Sequence, residues 1–140
     1  MTVQLPLAAS KISAASFRKT VAASGALQDL CLSYNEVMLT QARLTAACNA
    51  LHQIDQRFCR WLLQSADRAA GDTVTLTQEL LAEMLGVRRT SVTEVARRMQ
   101  DQGIITYTRG IITILDRQGL EQLSCECYQT LLEHEATLTK

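Results

Sequence analysis

Residues 78–95 read QELLAEMLGVRRTSVTEV, the spacing of two short helices joined by a tight turn. A second helix crosses a first one closely only over a small side chain, which Ala82 supplies. The turn needs a backbone conformation that a Cβ resists, and Gly86 stands there. Leu81, Leu85, Val87, Val92 and Val95 fill the wedge between the two helices. Thr77 precedes them as an N-cap whose hydroxyl can satisfy free backbone donors. The second helix runs from about Arg89 to Gln102 and stops at Gly103. Ile104 to Tyr107 and Ile111 to Leu115 are β-branched runs around Thr108-Arg109-Gly110, a hairpin signal. The expected fold is mainly α: a winged helix-turn-helix with a long N-terminal dimerisation helix and a small β-hairpin wing.

In such a unit the second helix enters the DNA major groove by its leading end. With Val92, Val95, Ala96 and Met99 facing inward, Arg89, Thr90, Thr93, Glu94 and Arg97 face outward. Arg89 is the candidate for a bidentate contact with guanine, and Thr90 and Thr93 could meet thymine methyls or polar base edges. Glu94 could accept from cytosine N4, or instead pair with Arg98 four residues on. Thr77, Gln78, Arg88, Ser91, Arg97 and the wing-tip Arg109 are the candidate phosphate contacts, which anchor without specifying sequence.

Upstream, Leu27, Leu30, Tyr34, Val37, Gln41, Leu44, Cys48 and Leu51 are spaced alternately 3 and 4 residues apart. This is an a/d seam, better suited to pairing with another helix than to burial against a broad core. It predicts a parallel homodimer with these eight residues at the interface; an intramolecular core helix is the alternative. Ser13 to Ala23 reads as a short helix carrying Phe17 and Val21 inward, and Ile54 to Ala70 as a helix with Phe58, Trp61, Leu62 and Ser65 toward the core. Gly71-Asp72 ends the latter, Thr73 to Leu76 is a short extended piece, and Leu120 to Leu138 closes the chain as one amphipathic helix.

The whole chain has 140 residues, 47% hydrophobic and 4% aromatic, with a formal net charge of zero. That suffices for a packed core and is too apolar for disorder. No apolar run approaches the ~18 residues of a membrane span, no secretory signal is readable, and a reduced cytoplasmic setting is expected. Neutrality hides segregation. Residues 86–117 carry six positive charges against three negative, and all six are arginines: Arg88, Arg89, Arg97, Arg98, Arg109 and Arg117. Arginine forks suit phosphates and guanine edges. Residues 118–140 carry one positive charge against four negative. His52 and His134 stand far apart with no nucleophile arranged beside them, so no catalytic residue and no enzymatic activity are expected.

Three segments together resemble the C-terminal part of the CRP/FNR family of bacterial transcription regulators. They are Ala50 to Leu63 (ALHQIDQRFCRWLL), Leu76 to Val92 (LTQELLAEMLGVRRTSV) and Gly103 to Asp116 (GIITYTRGIITILD). The likeness covers roughly residues 26–120. It implies residues 1–25 as the remnant of a sensor-barrel end, with Val3 to Pro6 its last strand. Residues 26–52 would be the dimerisation helix, 53–117 the winged helix-turn-helix, and 118–140 the C-terminal helix. It implies a sequence-specific DNA-binding regulator that lacks most of its effector-binding barrel, with double-stranded DNA and a second copy as partners and RNA polymerase as a further candidate. Two departures matter. Family members often carry Arg-Glu at the head of the recognition helix with an Arg four residues after the Glu; here those positions are Arg89, Thr90 and Glu94, so the family's best-known operator does not carry over. The Gly-Glu and Arg-Ser phosphate-binding elements are absent, so no cyclic nucleotide is expected to bind this chain alone.

Cys31, Cys48 and Cys59 lack the close spacing of an iron–sulfur site. Cys125-Glu-Cys127 is a weak zinc signal by itself, read as Cys127 in helix packing with Cys125 exposed. No cofactor or metal is expected. Cys48, lying in the seam, would cross-link two chains on oxidation. The rival function is a dimeric winged-helix module that binds a protein instead of specific DNA, favoured by zero net charge and Glu94 and opposed by the arginines of 86–117.

Overall fold

The computed structural model describes residues 8–138, so the strand expected at Val3 to Pro6 lies outside the described residues. The element order is α1 (Ala14–Ala22), α2 (Gly25–Leu51), α3 (Ile54–Ala69), β1 (Thr73–Thr75), α4 (Gln78–Leu85), α5 (Arg89–Asp101), β2 (Ile105–Thr108), β3 (Ile111–Ile114), α6 (Arg117–Leu123) and α7 (Cys127–Leu138). The mainly helical winged helix-turn-helix is what the sequence predicts.

Helix α3 is the hub. Phe58, Cys59, Leu62, Leu63 and Ala66 are buried along it, and it packs against α4, α5, α6, α7 and β1. Leu81 and Leu85 of α4, Val92, Val95, Ala96 and Met99 of α5, and Val74, Ile105, Ile112 and Ile114 of the sheet complete one continuous core. Two arginines of α3 are buried with it. Arg57 donates to the last carbonyls of two helices, Asn49 O of α2 and Leu85 O of α4, where a cation is favoured. Arg60 donates to Gln64 Oε1.

The extended piece at Thr73 is more than a connector. It pairs antiparallel with β3, giving a three-stranded sheet in the order β1-β3-β2. The wing is a two-residue hairpin: Thr108 pairs with Ile111, while Arg109 (φ 51°) and Gly110 (φ 81°) both take positive φ. Positive φ at both central positions matches the turn twist to the strand twist.

The last helix is two helices, not one. Asp116 caps α6 by accepting from Gly119 N, and Ser124 ends it with its hydroxyl donating back to Glu121 O. A serine that bonds its own backbone competes with helical continuation. Arg117 is then drawn into an internal network with Asp67 (2.5 Å), Glu121 and the Tyr128 hydroxyl. Burial, and then Asp67, push that hydroxyl up to about 12.

The long helix divides its faces differently from the expected seam. Val37, Gln41 and Leu44 are half-buried and Cys48 is wholly buried, because α7 of the same chain packs there. Thr40 Oγ1 meets His134 Nε2 at 3.3 Å, and Cys48 Sγ meets Cys125 Sγ at 3.5 Å. Cys48 therefore does not face a partner chain, and the oxidative cross-link expected through it is corrected. Cys125, expected to be exposed, is 3% exposed for the same reason. Leu30, Tyr34 and Leu51 of the seam remain in solvent, as do Leu32, Met38 and Leu39. Phe17, expected inside, is exposed.

Candidate nucleic-acid interface

The turn between α4 and α5 is built as its residues demand. Thr77 accepts from Leu80 N at 3.2 Å and starts α4. Gly86 takes φ 63°, which lets Val87 N reach Ala82 O at 3.0 Å and closes the helix. Val92 and Val95, each at most 1% exposed, then lock α5 across α4.

This leaves the leading end of α5 outside. Arg88, Arg89 and Thr90 are exposed, and Arg88, the N-cap, makes no side-chain cap bond. Free backbone donors at a helix start, with the positive end of the helix dipole, favour an anion. Thr93, Glu94 and Arg97 continue the exposed face. Ser91 is half-buried. Arg109 stands exposed at the wing tip. Between helix and wing lies a cleft of about 550 Å³ bordered by Gln78, Arg89, Thr93, Arg97 and Arg109.

The side chains on this face are pre-engaged with one another. Arg89 makes an ion pair with Glu79 (2.8 Å) and donates to Gln78 Oε1 (3.3 Å). Thr93 donates to the same Gln78 oxygen at 3.0 Å. An exposed pair of this kind contributes about 0–1 kcal/mol and yields readily to a better anion. Arg98 is held by Asp55 at 2.6 Å, so the pairing of Glu94 with Arg98 is not made and Glu94 stays on the open face. With Arg98 and Arg117 spent internally, Arg88, Arg89, Arg97 and Arg109 are the arginines of the basic segment that this surface presents.

Sequence reasoning missed three residues here. Glu79 is the competitor for Arg89. Gln100 accepts from Tyr107 N at 2.6 Å, and the Tyr107 hydroxyl donates to Leu76 O at 2.8 Å, fixing the wing against α5. Amphipathic periodicity carries no signal for such contacts, which join separate elements. The described residues also gather Cys48, His52, Cys125 and Cys127, at the α2–α7 junction and not on this face.

Residues 56–123 match the model of the Crp-like helix-turn-helix domain. Among solved structures, FixK2 from Bradyrhizobium japonicum aligns with a TM-score of 0.74 at 18% identity, over 79% of this chain and 58% of its own. A Crp/Fnr-family protein of Eubacterium rectale aligns with a TM-score of 0.63 at 24% identity, over 79% and 51%. A CRP/FNR-family transcriptional regulator from Thermus thermophilus gives 0.56 at 24% identity, over 61% and 47%. At these identities the likeness shows the fold. The chain spans about half the length of the solved relatives it matches. No curated protein matches the sequence.

Proposed function

From a chain whose residues 56–123 match the Crp-like helix-turn-helix domain and whose fold is like that of solved CRP/FNR-family structures, we propose a dimeric, sequence-specific DNA-binding regulator. The carrying observation is the open, arginine-headed start of α5 beside the wing-tip Arg109. In this reading α5 enters the major groove. Arg89 reads guanine, Thr90 and Thr93 read thymine methyls or polar edges, and Glu94 accepts from cytosine N4. Thr77, Gln78, Arg88, Ser91, Arg97 and Arg109 hold phosphates and set the register. The match of residues 56–123 to the Crp-like helix-turn-helix domain supports a non-catalytic role.

Two copies would associate along α2, through Leu30, Tyr34 and Met38, which are exposed among the described residues. A shallow groove of about 490 Å³ continues that face past Met38 along Gln41, Ala42, Thr45 and Asn49. The two α5 helices would then reach successive major grooves about 34 Å apart on a pseudo-palindromic site. RNA polymerase is a partner such a regulator would meet on the promoter. None of the described helices is long and apolar enough to cross a membrane.

Selection of bound sequences from a random duplex pool, followed by a salt titration on the winner, tests this directly. The expected result is a palindromic consensus whose log affinity falls linearly with log salt, by about 0.9 per phosphate contact. No binding at low salt would leave the protein-binding module in its place.

A further inference from the structure

Four side chains with soft or borderline donor atoms converge where α2 ends and α7 begins. Cys48 lies in the last turn of α2 and His52 is its C-cap; Cys125 and Cys127 flank the start of α7. Their ligand atoms all lie within 4.8 Å of one another. Cys48 Sγ and Cys125 Sγ are 3.5 Å apart, and Cys127 Sγ and His52 Nδ1 are 3.7 Å apart. Around a tetrahedral zinc with its usual bond lengths, two thiolates sit about 3.8 Å apart and a thiolate and imidazole nitrogen about 3.6 Å. The geometry points to a structural zinc site, three thiolates and one imidazole, that staples α7 to the end of the long helix.

Three further features fit this site. His52 turns its other nitrogen, Nε2, to Glu126 Oε1 at 3.1 Å, the carboxylate–histidine arrangement that fixes the tautomer and leaves Nδ1 for a metal. The three thiols are 0%, 3% and 6% exposed, which closes the site to solvent as a structural zinc requires. Zinc with three thiolates carries one net negative charge, and the buried Arg60 supplies its counter-charge; the Arg60 Nε is buried with no hydrogen-bond partner among the described residues. Arg60 lies within electrostatic reach of Cys48. A cubane iron–sulfur cluster inserts several atoms between its ligands and has no room among donors this close. Binding involves no electron transfer. Three thiol protons leave for solvent as three zinc–sulfur bonds form.

The sequence signal is weak because the ligands come in two distant pairs, four residues apart in 48–52 and two apart in 125–127. The site shares no residue with the DNA-reading face, so the two proposals fail separately.

The test uses the full chain, purified reduced and stripped with a chelator, and titrated with Co(II) as the optical probe. One equivalent should give the visible bands of tetrahedral, thiolate-ligated cobalt, which one equivalent of Zn(II) then abolishes. Cys125→Ser and Cys127→Ser should each weaken Zn(II) binding at least a hundredfold, Glu126→Gln about tenfold, and Cys31→Ser not at all. Where a cysteine variant does not fold, mass-spectrometric alkylation of the wild type in mild denaturant serves instead. Zn(II) should then protect Cys48, Cys125 and Cys127 and leave Cys31 and Cys59 unchanged. Absence of the cobalt bands, binding that survives Cys125→Ser and Cys127→Ser, or protection spread over all five cysteines overturns the site.

Discussion

Arg89 shows how a single side chain can be both available and occupied. Its guanidinium leads α5 into solvent, yet it rests on Glu79 and Gln78. In water that pair is worth little, so a guanine edge or phosphate can displace it. Arg89→Ala should cost about 1–3 kcal/mol of discrimination at one base pair of the selected site. Equal losses on selected and random duplexes would remove its base-reading role. Glu79→Gln frees the arginine and deletes a negative charge from the face, and should tighten binding to every duplex several-fold at low salt. Unchanged or weaker binding in the same titration would show that Glu79 positions Arg89 for DNA instead of competing for it. Glu79 and Arg89 belong to different helices and meet only once α5 crosses α4, so the periodicity of either helix alone carries no sign of this competition.

At the level of elements, three helices end by one device. Just past α3, α4 and α5, a backbone N–H reaches back five residues: Gly71 N to Ala66 O, Val87 N to Ala82 O, and Ile104 N to Met99 O. The device needs a left-handed residue just before that donor. Gly86 and Gly103 fill it after α4 and α5, and both stops were readable from the sequence. After α3 the position is Ala70, at φ 50°, and the neighbouring Gly71, read as the stop, is not the left-handed residue. An alanine there bears a steric penalty of about 1–2 kcal/mol. Ala70→Gly should therefore raise stability by up to about 1 kcal/mol after the entropy that glycine adds to the unfolded chain. Thermal unfolding checks it, and a lowered midpoint would mean that the Ala70 methyl contributes packing that outweighs the strain.

For the whole molecule the decisive question is which face of α2 is left for a second copy. A strict seven-residue repeat drifts around a straight helix by ~20° per heptad unless the helix supercoils, so the two ends of a stripe along 27 residues need not meet the same partner. Val37 to Cys48 of the seam turn to α7, while Leu30 and Tyr34 before them and Leu51 after them stay exposed. Tyr34→Glu should dissociate the dimer at micromolar concentration in sedimentation and weaken DNA binding in parallel, while the helical content holds. Cys48→Ala should leave association unchanged, since that side chain is inside its own protomer. Dissociation by Cys48→Ala but not by Tyr34→Glu would reverse this assignment.

The sequence by itself determined the helix-turn-helix, its Thr77 cap and glycine stops, the presence of a hairpin wing and the outward face of α5, because these depend on local dihedral preference and on periodicity within one element; that Thr108 pairs with Ile111 and leaves a two-residue turn was seen only in the structure. Only tertiary structure decided that Arg98 and Arg117 serve Asp55 and Asp67 inside the chain and that α7 claims Cys48. Each of those contacts joins residues more than forty positions apart; the break at Ser124 is instead local, a hydroxyl bonded to the preceding turn of its own backbone, and the apolar pattern running through it does not record it. A pattern read along one helix records which face is apolar, but the partner of that face is chosen by the free energy of the assembled molecule.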